Sequence, residues 1–301
     1  MDRKGELVRD LKPENFRGTF RGKPVQIRSA NWTTRAPRVV IVLDTSGSMS
    51  APGVGWSLAR NFASLFATAA PLETSLALLT FGDRIRERVT FDEGRTRVQA
   101  VLQGLAEAKP KDPRIGGRTA LIDAIQEAIL MLKPSRLGDV IYVISDGGEN
   151  ASRRKPEQIV PELFKARTRL FASVVAWAPP RGGPVLGVPA DSLTPVIRAT
   201  GGDILTTLYE EDTSGRRSGI TQEQAKMFAE AALHMYDRMV QFYGLEIEIP
   251  VHVDKLRDWK LEIVGPDGKR RNGLLVSYTR KLLPCSEVPV SFPRPTRPES
   301  D

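Results

Sequence analysis

The stretch Val39–Ser50, VVIVLDTSGSMS, decides the reading of the fold. Val39 to Leu43 is an unbroken apolar run rich in β-branched side chains, the pattern of a strand buried on both faces. It ends in Asp44, Ser46 and Ser48, three short oxygen-bearing side chains at alternating positions, with Gly47 between the serines where the backbone can turn. A carboxylate and two hydroxyls on one loop at the carboxyl end of a buried strand suit a hard divalent cation. Mg²⁺ takes oxygen ligands at about 2.1 Å and usually keeps several waters. A plain strand-to-helix turn with a serine cap would use the same residues without any metal.

Outward from this stretch, strand and helix alternate. Trp56 to Ala70 places Leu58, Phe62, Leu65, Phe66 and Ala69 at helical spacing and stops at Pro71. Ser75–Phe81 reads as a second buried strand, and Arg84–Phe91 as an edge strand with one wet face. Helices are expected over Arg95–Ala108, Ala120–Leu132, Pro156–Arg167 and Leu193–Thr200. A further one should run from the capping box Thr221-Gln222-Glu223-Gln224 to about Tyr243. Val140–Ile144, Leu170–Trp177 and Asp203–Leu208 complete the strands. The pattern specifies an α/β fold: a doubly wound, mostly parallel, Rossmann-like sheet with helices on both faces. Such sheets bind ligands at the carboxyl ends of their strands, at a topological switch point. Three polar loops fall at that face: Asp44–Ser48, Gly116–Thr119 ahead of a helix, and Ser145–Asn150 after a strand.

The flanks differ from this core. Residues 1–36 read as short extended pieces, Phe16–Phe20 and Val25–Ile27, too small for a core of their own. Residues 37–243 form the alternating unit. After Gly244 the alternation ceases, and Leu245–Ile249, Lys260–Val264 and Leu274–Tyr278 read as strands within residues 244–283. The two flanks are expected to pair into a small β-rich platform. Residues 284–301 are proline-rich with few large apolar side chains, which predicts a disordered tail.

Composition narrows the chemistry. The 301 residues are 41% hydrophobic and 27% charged, and no apolar run approaches the ~20 residues of a membrane-spanning helix. With one cysteine, Cys285, neither an intrachain disulfide nor a cysteine zinc site can form. Two histidines, His234 and His252, leave little material for a Ser-His-Asp triad. The net charge of +8 is concentrated before residue 37, with smaller clusters at Arg153-Arg154-Lys155, Arg216-Arg217 and Lys269-Arg270-Arg271. These lack interleaved aromatic residues and read as solvated surface, with nucleic acid the minor alternative.

The three loops together resemble the metal-ion-dependent adhesion site (MIDAS) of a von Willebrand factor type A (VWA) domain. The matching residues are Asp44, Ser46 and Ser48 in DTSGS, Thr119 in GGRTAL, and Asp146 in VISDGG. The flanks DLKPENFRGTFRGKPVQI and FYGLEIEIPVHVDKLRDWKLEIV resemble those of the bacterial VWFA-related family abundant in Acidobacteria. The resemblance implies a Mg²⁺ or Mn²⁺ held directly by Ser46, Ser48 and Thr119, with Asp44 and Asp146 acting mostly through water. An ion with neutral first ligands stays short of negative charge and seeks an Asp or Glu from outside. The implied function is metal-dependent protein binding or cell adhesion, without enzymatic activity, a small-molecule substrate or a membrane span. In integrin-type relatives the last helix, here Thr221 to Tyr243, is coupled to the site. Relatives are commonly exported, whereas MDRKGELVRDLKPENF carries no apolar leader segment, which would place the chain in the cytoplasm if that start is genuine.

Rival readings remain open. A VWA subunit serving an AAA+ ATPase of the MoxR or chelatase kind would use the same loops inside the cell. A metal-dependent hydrolase has weaker support. The haloacid-dehalogenase pattern needs an acid where Ser46 stands, and neither a P-loop nor a plausible GxSxG is present.

Overall fold

The computed structural model describes residues 1–2, 5–33, 36–50, 54–108, 112–177, 193–209 and 222–284. The described chain opens with a hairpin of β1 (Phe16–Phe20) and β2 (Lys23–Thr33). Arg21 and Gly22 turn it at φ 50° and 74°, the left-handed geometry that matches the twist of paired strands. An alternating series follows: β3 (Arg38–Asp44), α1 (Gly47–Ser50), α2 (Val54–Ala69), β4 (Ser75–Phe81), β5 (Ile85–Val89), α3 (Gly94–Ala106) and α4 (Leu121–Met131). It continues through β6 (Val140–Ser145), α5 (Pro156–Lys165), β7 (Arg169–Trp177), α6 (Leu193–Thr200), β8 (Ile204–Tyr209) and α7 (Gln222–Val240). Four strands close the described chain: β9 (Phe242–Glu248), β10 (Arg257–Asp258), β11 (Lys260–Ile263) and β12 (Lys281–Leu282).

The central sheet runs β5-β4-β3-β6-β7-β8, parallel except for β5 at the edge. β3 is apolar from Val39 to Leu43 because both of its faces are covered. Val39, Ile41 and Leu43 pack with Phe62 and Phe66 of α2, Leu102 of α3 and Met239 of α7. Val40 and Val42 meet Ile125 of α4, Leu163 of α5 and Ile197 of α6 on the other face. From β3 the chain moves to β4 on one side and returns to β6 on the other. The switch point of this doubly wound sheet therefore lies between the carboxyl ends of β3 and β6.

The flanks form antiparallel sheets apart from this core. A four-stranded platform runs β11-β1-β2-β9, joining strands more than 200 residues apart, and β10 pairs with β12. Phe16, Phe20, Trp259, Leu261 and Ile263 give the platform its own core.

Two elements differ from the sequence expectation. The last helix ends at Val240, and Phe242 and Tyr243 already pair with Thr33 and Trp32 of β2. The Tyr243 hydroxyl accepts the Leu11 N–H at 2.8 Å, and its ring meets Phe16 and Trp32 edge-on, contacts that outweigh another half-turn of helix. Leu274–Tyr278 alternates apolar and polar residues but joins no sheet. Leu274, Val276 and Tyr278 face the platform core, while the backbone runs as a strap over the end of α6. There Ser277 Oγ donates to the Gly202 carbonyl at 2.9 Å and Arg280 N–H to that of Ala199 at 2.8 Å. Gly201 permits this crossing: its φ is +77°, and a Cβ would sit 2.8 Å from the Tyr278 backbone. Thr221 of the expected capping box and residues 285–301 of the expected tail lie outside the described residues.

Arg169 ties core to platform. Its buried guanidinium donates to the carbonyls of Met239 and Arg238 at the end of α7, and lies 4.3 Å from the ring centre of Phe242 on β9. Desolvation lowers its pKa to about 10. Arg169→Met keeps the bulk but removes the donors. It is expected to cost about 2–3 kcal/mol in urea unfolding and to speed amide exchange in the last turn of α7.

Candidate metal centre

β3 delivers Asp44 to the sheet edge, fully buried. Its two oxygens are held separately: Oδ1 accepts the Ser46 backbone N–H at 2.8 Å, and Oδ2 accepts the Ser145 hydroxyl at 2.6 Å. Burial raises the Asp44 pKa to about 7; the Ser145 and Ser46 hydrogen bonds oppose that shift and the neighbouring Asp146 adds to it. Among the described residues no Lys or Arg pairs with Asp44. The chain then turns into the single turn of α1, and the Ser46 and Ser48 hydroxyls come to 3.2 Å of each other, Ser46 buried and Ser48 exposed.

The second loop is bolted to the first through backbone. Gly116 N–H donates to the Thr45 carbonyl at 2.7 Å, and Gly47 N–H to that of Gly117 at 2.8 Å. Arg86 on β5 holds the same loop from behind, donating to the carbonyls of Gly116 and Pro113 and to Asp83. Thr119 therefore arrives beside the first loop, 2% exposed.

The third loop closes the arrangement. Asp146 follows the last residue of β6, and its Oδ1 accepts the Gly148 N–H at 2.9 Å. Gly148 marks where the second and third loops meet, since a Cβ there would lie 3.1 Å from Asp146 Oδ1 and 3.7 Å from Thr119 Oγ1. The structure thus brings Asp44, Ser46, Ser48, Thr119 and Asp146 to one end of the sheet. Among the described residues no group of three or more His, Cys, Asp or Glu that could hold a metal is found, here or elsewhere; this centre has two carboxylates and three hydroxyls.

Four further residues build this site without having been singled out from the sequence. Ser145 bridges the loops, donating to Asp44 and accepting the Gly147 N–H at 3.0 Å. Asn150 Oδ1 accepts the Thr119 N–H at 2.9 Å. Glu149 and Ser152 cap α4 from a distant loop, both accepting the Ile122 N–H at 3.0 Å. The available signal was the polar run Ser145–Ser152 itself; the partners lie 101 residues away for Ser145 and about thirty for Glu149, Asn150 and Ser152.

Comparison with known proteins follows this geometry. Residues 39–149 match the family model of the von Willebrand factor type A domain. That span runs from β3 to the third loop and includes all five residues of the candidate centre. Comparison with curated proteins gave no match. Among solved structures, proximal thread matrix protein 1 from the mussel byssus is similar, with TM-score 0.50 and 18% identity, over 73% of this chain and 50% of that one. The chain thus spans about half the length of that protein. A von Willebrand factor type A structure from Catenulispora acidiphila matches at TM-score 0.45 and 13% identity, over 69% of this chain and 49% of that one. Manganese-loaded TRAP protein from Plasmodium vivax matches at TM-score 0.44 and 11% identity, over 79% and 82% of the two chains. The family-model match over residues 39–149 and the similarity at TM-score 0.50 accord with the mostly parallel α/β architecture of the central sheet and its helices.

Ser145→Ala removes the donor to a buried carboxylate and an acceptor for a buried loop. A loss of about 1–3 kcal/mol is expected in chemical unfolding of the metal-free protein, from the general cost of leaving such groups unpaired.

Proposed function

We propose that this face is a divalent-cation site that captures an acidic side chain of a protein partner, making the chain a metal-dependent interaction module and not an enzyme. The observation that carries the reading is the approach of the Ser46 and Ser48 hydroxyls to 3.2 Å above a buried carboxylate. Two oxygens bound at right angles to one Mg²⁺, each at about 2.1 Å, would lie about 3 Å apart, so the pair fits adjacent positions on one ion. Charge supports the same conclusion. Asp44 is buried beside Asp146 with no cationic partner among the described residues, an arrangement that a bound cation would relieve.

The residues divide the work by what they already touch. Ser46 and Ser48 would hold the ion directly, joined by Thr119 from the second loop. Both oxygens of Asp44 already accept hydrogen bonds, which suits it to supply charge from behind the hydroxyls. Asp146, with one oxygen on Gly148, would do the same from the other side. Bound Mg²⁺ or Mn²⁺ would supply a positively charged coordination position that an external carboxylate can fill. A hydroxyl at position 46, in place of a second acid, weighs against phosphoryl transfer by the aspartate.

Calorimetric titration with Mg²⁺ and Mn²⁺ tests the site. Asp44→Ala and Ser46→Ala are each expected to weaken metal binding at least about tenfold while circular dichroism stays native, in line with the loss of a metal-site contact. Full-strength binding by Asp44→Ala would remove the assignment. A pull-down in Mg²⁺ against EDTA, with Thr119→Ala as control, then asks for a protein recovered only with metal and only by the unmodified chain.

A further inference from the structure

The surroundings of the centre carry information about the partner, and this inference rests on the metal-dependent reading above. We infer that the partner segment is acidic beyond the residue that meets the metal, with flanking carboxylates received by an arginine rim built from the second and third loops. The rim consists of Arg118 beside Thr119 and Arg153 and Arg154 at the end of the third loop, with Arg84 on the β4–β5 side, all exposed.

Position is the first argument. Arg118 is the direct neighbour of Thr119, and its guanidinium reaches only as far as the Asn150 carbonyl. The backbone N–H groups of Arg153 and Arg154 donate to the two oxygens of Asp123 in the first turn of α4, at 2.9 and 3.3 Å. That anchors both arginines to the helix that follows Thr119. Arg84 is held close by as well, because Gly82 N–H donates to its carbonyl while the Gly82 carbonyl accepts the Ala120 N–H.

Charge is the second. Five carboxylates around the face have other contacts: Asp44 and Asp146 in the centre, Glu149 on the amides of Ile122, Ala151 and Ser152, Asp123 on the two arginine amides, and Asp83 on Arg86. Among the described residues none forms an ion pair with Arg84, Arg118, Arg153 or Arg154. Elsewhere on the surface some exposed arginines have such partners, as in Arg17–Glu262, Arg28–Glu248 and Arg88–Glu127, while others, such as Arg198 and Arg271, have none among the described residues, so it is the position of these four beside the centre that sets them apart. Exposed cations thus stand on the loops on either side of the centre, where they would favour an approaching anionic ligand. Nucleic acid would meet the same cations. The loops at residues 112–119 and 145–155 contain no aromatic side chain on which bases could stack, which favours the acidic peptide.

The test uses the full chain and fluorescence anisotropy with three labelled probes, in Mg²⁺ and in EDTA. They are a peptide with a single Asp among Gly and Ser, the peptide Glu-Glu-Asp-Glu-Glu, and a single-stranded oligonucleotide. In Mg²⁺ the acid-flanked peptide is expected to bind about tenfold more tightly than the single-Asp peptide, as several screened ion pairs of a few-fold each would give. The double variant R153Q/R154Q should remove most of that gain while Mg²⁺ binding and single-Asp binding stay unchanged. Equal affinities for the two peptides, or a gain that survives the double variant, would overturn the rim. An oligonucleotide that binds as tightly as the acidic peptide and ignores EDTA would overturn it in favour of phosphate. Peptide binding indifferent to EDTA would instead sink the metal reading underneath, leaving the two failures distinguishable.

Discussion

The buried carboxylate of Asp44 is the constraint around which this end of the molecule is arranged. A charge at the end of a core strand is costly unless something stabilises it, and among the described residues Asp44 is met by dipoles, chiefly the Ser145 hydroxyl and the Ser46 amide. Those two contacts come from different loops. Holding Asp44 in place therefore also fixes the third loop against the first. The backbone bonds from Gly116 and Gly47 add the second loop to the same assembly. Three stretches separated by some seventy and thirty residues thus share one geometry, which is what a site assembled from several loops requires.

The rest of the fold keeps that geometry rigid. β3 is covered by α2 on one face and α4 on the other, each within a larger apolar cluster, so the strand that carries Asp44 is held from both sides. The helix behind Thr119 is capped in trans by Glu149 and Ser152, tying its start to the third loop and not to its own preceding residue. At the opposite end, Arg169 joins the close of α7 to the first residues of the platform, and the strap at 274–280 joins the platform to the end of α6. Arg169 and the strap therefore both link core to platform away from the candidate centre.

Much of this was legible in the sequence, for a physical reason. A strand buried on both faces has to be apolar at every position, and Val39–Leu43 and Val140–Ile144 are; amphipathic helices have to show their period, and Leu58–Phe62–Phe66 does. Such patterns are local. What escaped was settled at a distance. Tyr243 leaves the helix because Leu11, Phe16 and Trp32 offer it a better site, and all three precede it by more than 200 residues. Leu274–Tyr278 shows genuine alternation, yet alternation records only which side chains are buried. It cannot tell a sheet ladder from a strap whose hydrogen bonds go to a helix end. Ser145 and Asn150 looked like generic loop residues because their partners, Asp44 and Thr119, are 101 and 31 positions away.

The same distinction bears on how charge is laid out at the centre. In sequence the Arg153-Arg154-Lys155 cluster is one basic patch among several, and composition gives no cause to separate it from Lys269-Arg270-Arg271. The fold separates them. The latter lies on the platform, while the former is pinned through Asp123 to the helix that starts beside Thr119. Asp123 fixes the backbone from which Arg153 and Arg154 project, and among the described residues neither side chain has an ion-pair partner. Carboxylates at the centre and exposed arginines on the neighbouring loops are charges that a single metal ion and a single acidic partner segment would satisfy together.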